Sequence, residues 1–137
     1  MSQPEWRTEV ILTIPFHDCD MMEVVWHGHY AKYFEIARCA LLEQFDYNYP
    51  QMRDSGYAWP VIELHVRYAR ALNFNQQIRV SATLKEYEHR LKIVYEVRDA
   101  TSGERLTRGH TVQVAVDMQN REMCFVSPPV LLEKLGI

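Results

Sequence analysis

Apolar residues recur along most of this chain in patterns that predict secondary structure. Residues 7–16 contain β-branched residues in mixed alternation, which predicts a first strand ending near Pro15. From Tyr30 to Phe45 the apolar residues fall at helical spacing, which predicts one long helix. Because they cover most of its circumference, we expect other elements to wrap this helix.

The second half of the chain predicts strands. Residues 46–56 carry proline, asparagine and glycine and predict a loop with at most one short helical turn. Four strand-like runs follow, at residues 57–68, 77–87, 91–99 and 105–117. Residues 101–103 predict a hairpin turn, and residues 128–135 predict a short final helix opened by proline. This order indicates an α+β protein, with one helix buried in the curve of one antiparallel sheet.

Composition and charge narrow the class of protein. A chain of 137 residues with 47% hydrophobic and 24% charged residues predicts a single domain over residues 1–137. The formal net charge of −3 argues against a nucleic-acid partner. Three scattered cysteines indicate reduced thiols and a cytoplasmic location. We expect neither a signal peptide nor insertion into a membrane, since no suitable apolar segment is present.

The candidate chemistry lies directly before the long helix. Asp18, Asp20, His27, Gly28 and His29 gather there. The first N–H groups of a helix have no intrahelical partner and carry partial positive charge, so this place can hold a developing negative charge. The acids and histidines are also ligand types that zinc or iron accept, but their spacing matches no metal motif, and we predict no metal.

The run DCDMMEVVWHGHYAKYFEIAR at residues 18–38 gives a more specific indication. It resembles the hotdog-fold thioesterases, in particular the group of the 4-hydroxybenzoyl-CoA thioesterase and the acyl-CoA thioesterases found beside the Tol-Pal genes. The resemblance extends over nearly the whole chain. It implies a hotdog fold, in which a five-stranded antiparallel sheet wraps one long helix, and it implies hydrolysis of a thioester.

The resemblance also implies roles for individual residues. Asp20 matches the family's catalytic carboxylate and His27 its motif histidine, and Asp20 could act as nucleophile or as general base. The backbone N–H groups around Gly28, His29 and Tyr30 would bind the thioester carbonyl. For substrate binding we single out six residues: Trp26, Pro60, Val61, Glu63, Tyr68 and Arg90.

Other features of the site qualify this resemblance. Glu23 stands where many relatives have glycine, and it adds an acid beside Asp20. Asp18 is expected to be structural, as aspartate is at many turns. Glu63 is either outward-facing or a polar contact to substrate.

The expected function is hydrolysis of an acyl thioester of coenzyme A, or of acyl carrier protein, without a further cofactor, because coenzyme A belongs to the substrate. An acyl-binding or scaffold module without turnover and a hotdog dehydratase or hydratase remain the alternatives. A five-stranded sheet leaves open edges, and joining two subunits removes one from each. We therefore expect at least a homodimer, with a tetramer as the other possibility.

Overall fold

The computed structural model describes residues 5–137; the expectations about the extreme N-terminus fall in part on residues 1–4, outside this range. The strands are β1 (Arg7–Thr13), β2 (Tyr57–Ala58), β3 (Val61–Tyr68), β4 (Gln77–Glu86), β5 (Leu91–Asp99), β6 (Arg105–Gln113) and β7 (Val116–Asp117). The helices are α1 (Tyr30–Gln44), α2 (Tyr49–Asp54) and α3 (Pro129–Leu135).

The main sheet has five strands in the order β1-β4-β5-β6-β3, and every neighbouring pair is antiparallel. This confirms the predicted α+β architecture. Its inner face supplies alternating apolar residues such as Ile93, Tyr95 and Val97, all fully buried. The long helix α1 covers that face.

Contacts fix the direction of α1 on the sheet. The Tyr30 ring packs edge-on against Tyr68, with centroids 4.7 Å apart, beside the start of β6. Further along, the Phe34 ring stacks on Tyr95, with centroids 4.4 Å apart. Helix α1 therefore runs beside β6 in the same direction, and its N-terminus lies where β3 ends, because Tyr68 pairs with Thr107.

Two predicted strands are each divided in two. Run 57–68 breaks between β2 and β3 at Trp59 and Pro60, since proline has no N–H to donate to a ladder. Run 105–117 breaks between β6 and β7, and β2 pairs with β7 as a separate ribbon. Helix α2 is longer than the single turn expected, because Asn48 and Gln51 form a reciprocal capping box at its start.

Strand β3 forms one edge of the main sheet and is largely uncovered. Seven of its eight residues are exposed, among them the apolar side chains of Val61, Ile62 and Leu64. No helix among residues 5–137 combines the length and apolar character needed to cross a membrane.

Candidate active site

Asp20 lies on a tight turn that leads toward α1. The Asp20 N–H donates to the Val24 carbonyl at 2.9 Å, and the Glu23 N–H donates to the Asp20 carbonyl at 3.0 Å. The Asp20 side chain is exposed, and its Oδ1 accepts the Met22 N–H at 2.8 Å. Its second oxygen, Oδ2, has no hydrogen-bond partner within residues 5–137. One carboxylate oxygen therefore holds the turn and the other stays available.

Glu23 adopts a left-handed backbone conformation in this turn, with φ of 65°. Glycine reaches that region without steric cost, whereas a side chain such as glutamate does not. A glycine at this position would adopt the same conformation without that cost. In this chain the turn carries strain beside the candidate catalytic carboxylate.

Asp18 is the buried anchor of the same segment, with only 1% of its surface exposed. It accepts hydrogen bonds from the Lys32 ammonium at 2.6 Å and the Tyr33 hydroxyl at 2.7 Å. Burial alone would raise the pKa of Asp18, but these two bonds outweigh burial and hold that pKa below its usual range. Asp18 ties the loop to the first turns of α1, which agrees with the structural role expected for it.

The N-terminus of α1 begins with a short 3₁₀ turn over His27–His29. The His29 N–H donates to the Trp26 carbonyl, and the Tyr30 N–H donates to the His27 carbonyl. The Gly28 N–H has no acceptor within residues 5–137. Of the three predicted oxyanion donors, Gly28 is therefore the one whose N–H is free to meet a carbonyl oxygen.

The Trp26 indole covers this turn and explains the glycine at position 28. Its ring lies 4.9 Å from the His27 ring and 5.4 Å from the His29 ring, measured between centroids. A Cβ atom added at Gly28 would collide with the Trp26 ring. Glycine thus fits beneath the Trp26 ring, and a larger residue here would displace that ring.

A cavity of about 250 Å³ opens beside the turn. It brings together His27 and Tyr30 at the start of α1 with Tyr68 at the end of β3. The Tyr68 hydroxyl donates to the His27 carbonyl at 3.0 Å, and so links the edge strand to the turn. Burial raises the pKa of Tyr30, so its hydroxyl stays protonated at neutral pH. Asp20 does not line this cavity in the single chain.

The remaining substrate-binding candidates lie apart from the cavity. Pro60 and Val61 are exposed at the far end of β3, and Glu63 faces the outer side of the sheet opposite Val112. Arg90 bonds to Glu86 at 2.5 Å in a separate depression formed by residues 85–90. A single chain thus brings together only some of the residues predicted to bind substrate.

The structure also adds residues that the sequence did not single out. Val25 lines the cavity, as do Ala69, Arg70 and Ala71 in the segment after β3. That segment shows no motif; the pairing of β3 with β6 and the bond from the Val25 N–H to the Leu72 carbonyl at 2.8 Å bring it to the start of α1. Within residues 5–137, no three histidine, cysteine or acidic side chains form a group that could surround a metal ion.

Comparisons with known proteins agree with this architecture. The model of the thioesterase-like superfamily matches residues 14–135. A Synechocystis protein provisionally named an esterase is 28% identical over 128 residues, which are 93% of this chain and 77% of that protein. A Bacillus subtilis protein provisionally named an acyl-CoA thioesterase is 25% identical over 84 residues, 61% of this chain and 60% of that protein.

Among solved structures, a 1,4-dihydroxy-2-naphthoyl-CoA thioesterase from Synechocystis superposes with a TM-score of 0.84 at 17% identity. The superposition covers 95% of this chain and 96% of that one. At this identity the likeness concerns the fold, and it confirms the hotdog arrangement of sheet and central helix. With the family model matching nearly its whole length, the chain belongs to the thioesterase-like superfamily.

Proposed function

We propose that this protein hydrolyses acyl thioesters of coenzyme A to a free carboxylic acid and a thiol. The observation that carries the proposal is the pairing of a free Gly28 N–H at the start of α1 with a turn that presents the Asp20 carboxylate just before it. An oxyanion donor and a nucleophile or general base together accelerate thioester hydrolysis, and a carboxylate can fill the second role. Membership of the thioesterase-like superfamily supports the same reaction.

In this mechanism the carbonyl oxygen of the thioester accepts the Gly28 N–H and gains negative charge when the carbonyl carbon is attacked. The fixed donor and the positive end of α1 oppose that charge without reorganising. Asp20 either attacks the carbon through Oδ2, expelling the thiolate and leaving an anhydride that water cleaves, or takes a proton from an attacking water. Tyr68 holds the turn through its bond to the His27 carbonyl.

The substrate class follows from the relatives by analogy. Names among them refer to acyl-CoA and to 1,4-dihydroxy-2-naphthoyl-CoA thioesters, which places coenzyme A first among the carriers to test. An acyl carrier protein presents the same phosphopantetheine arm and is the second carrier in our proposal. We place the reaction in the cytoplasm, in keeping with the free thiols of Cys19, Cys39 and Cys124.

We propose that the working enzyme is a homodimer joined at β3, with a tetramer as a further level of assembly. The exposed apolar side chains of this edge strand support the pairing, since a second copy would cover them and complete the ladder. Pro60 and Val61 of the second copy would then approach the end of the first copy's β3, near the cavity.

An acyl-binding module without turnover is the second candidate. It is favoured by one observation, that Asp20 is engaged in its own turn beside Glu23.

Free-thiol release from a panel of aromatic and aliphatic acyl-CoAs and acyl carrier proteins, combined with equilibrium binding of the same compounds, separates the candidates. We expect turnover of at least one coenzyme A thioester. Tight binding with no thiol release from any compound would favour the binding module instead.

A further inference from the structure

Three neighbouring cavities that share lining residues trace a groove from the candidate active site around the end of β3 to the outer face of the sheet. The active-site cavity and a second cavity of about 180 Å³ share Ala69. The second cavity shares Arg67 and Arg108 with a third, of about 230 Å³, that ends at His65 and His110. Neighbouring residues of a strand point to opposite faces, so the groove passes from the α1 side at Tyr68 to the outer side at Arg67.

Arginine dominates the outer part of this groove. Arg67, Arg105 and Arg108 line the second cavity, and none of the three lies within 4 Å of a carboxylate among residues 5–137. Two acidic residues close to these arginines form ion pairs with other residues. Glu104 pairs with Arg70 at 2.7 Å. Glu96 likewise pairs with Arg98 at 2.8 Å.

The strand register places these charges in opposition. Arg108 lies between Arg67 on β3 and Glu96 on β5, and Arg105 lies directly opposite Arg98. Like charges directly opposite each other on neighbouring strands destabilise a sheet. An anion bound between them would relieve that repulsion and could accept bidentate hydrogen bonds from the guanidinium groups.

His110, at the end of the groove, does not supply this charge. The His65 and His110 rings stack with centroids 5.3 Å apart. Burial, followed by the nearby Lys92 and His65, lowers the pKa of His110, so that His110 stays neutral at pH 7. Arg90, the basic residue singled out from the sequence, is held by Glu86 at the opposite end of the sheet hairpin. The positive charge that lines the second cavity is that of the three arginines.

We infer that Arg67, Arg105 and Arg108 bind the phosphate groups of the substrate's carrier, while the pantetheine arm follows the groove past Ala69 to the reaction site. This inference rests on the proposed function for the identity of the carrier. The shared ligand chemistry is a phosphate ester on pantetheine, which coenzyme A and a carrier protein both provide. Only coenzyme A adds the diphosphate and the 3′-phosphate of its nucleotide.

Calorimetric binding to the intact protein tests the assignment. The variant R67Q/R108Q removes two of the charges, and R7Q/R53Q removes two exposed arginines away from the groove as a matched control. Losing two charge-assisted contacts is expected to raise the Kd of coenzyme A about tenfold or more in R67Q/R108Q. The control is expected to keep the native Kd, and both variants the native Kd of unphosphorylated pantetheine.

Two further ligands identify the phosphate that is recognised. If 4′-phosphopantetheine loses affinity in R67Q/R108Q as coenzyme A does, the groove recognises the phosphate common to both carriers. If coenzyme A alone responds, the groove recognises the nucleotide. A native Kd for coenzyme A in R67Q/R108Q, an equal loss in the control, or no binding of coenzyme A by the native protein would overturn the assignment.

Hydrolysis separates this inference from the proposed function. An N-acetylcysteamine thioester carries no phosphate, so R67Q/R108Q is expected to hydrolyse it at the native kcat/KM while its KM for the matching acyl-CoA rises. If the native protein hydrolyses neither compound, the proposed function fails, but the Kd comparison still decides the groove. Removing opposed like charges should leave the Tm of unliganded R67Q/R108Q at or above the native value.

Discussion

Three residues before α1 show how the loop is held and where it is strained. Asp18 is buried with two hydrogen-bond donors, whereas Asp20 two positions later is exposed with one free oxygen. Glu23 closes the turn in a left-handed conformation. The same short segment therefore contains an anchor, the carboxylate proposed to react, and a strained position.

Replacing Glu23 by glycine should stabilise the protein by roughly 0.5 kcal/mol or more, because relief of the left-handed strain exceeds the added chain entropy. Urea unfolding of native protein and Glu23→Gly measures the difference. Asn75→Gly is a suitable comparison, since Asn75 has the same φ of 65° but asparagine tolerates it better. A clear loss of stability in Glu23→Gly would contradict the strain assigned to this turn.

Asp18→Asn should destabilise the native state by about 2 kcal/mol at neutral pH, through weaker bonds to Lys32 and Tyr33. Because the folded pKa of Asp18 lies below its ordinary value of 3.8, its ionic contribution is complete above that pH and is lost as the pH falls through the folded pKa. The stability gap between native protein and Asp18→Asn should therefore shrink in acid. Unfolding curves at pH 7 and about pH 2 measure it; a gap that widens in acid would refute this role.

Different roles for Asp18 and Asp20 could be predicted from the sequence, whereas the hydrogen bonds of the nearby turn could not. Motif position distinguished Asp20 from Asp18, and burial agrees with the structural role expected of Asp18. The sequence could not indicate that the N–H groups of His29 and Tyr30 are used within a 3₁₀ turn. Helix periodicity places a helix start but does not specify the hydrogen bonds of its first turn.

At the scale of elements, the start of α1 depends on the packing of Trp26 over Gly28. The helical spacing of apolar residues in α1 and the strand-like runs elsewhere were sufficient to predict one helix on a five-stranded sheet. The ribbon of β2 and β7 was not predictable, since two-residue strands have no period of their own. The cavity-lining segment after β3 likewise depends on long-range pairing.

Gly28→Ala should lower kcat/KM roughly 100-fold, because the new methyl group displaces the Trp26 ring and shifts the donor N–H. The double variant W26A/G28A removes the collision and should recover most of that loss, to the level of Trp26→Ala alone. Thiol release by the three variants and native protein completes the cycle. Additive losses in the double variant would show that the ring and the glycine act independently.

At the scale of the whole molecule, the uncovered edge strand β3 ends at the candidate active site and is also the proposed dimer contact. One chain brings His27, Tyr30 and Tyr68 together but leaves Pro60 and Val61 at the far end of the strand. An antiparallel β3–β3 pairing would bring the two ends together across a two-fold axis. Fold class followed from the sequence, but the contribution of a second copy cannot be read from one chain's pattern.

Leu64→Lys should convert the dimer to monomer and reduce thiol release, because a charge on the paired edge opposes strand addition. Ile11→Lys places the same change on β1, the other edge of the sheet, and should leave the dimer intact. Sedimentation velocity distinguishes the states. A native protein that sediments as a monomer, or a dimeric Leu64→Lys, would contradict the proposed pairing.

The most direct test of the reaction at the start of α1 compares Asp20→Asn with Asp18→Asn in thiol release from the best acyl-CoA substrate, at a temperature where both variants are folded. We predict that Asp20→Asn loses at least about 100-fold in kcat while retaining native stability. Asp18→Asn should keep a kcat within several-fold of native despite its lower Tm. Native turnover by Asp20→Asn would contradict the assignment of Asp20 as the reacting carboxylate.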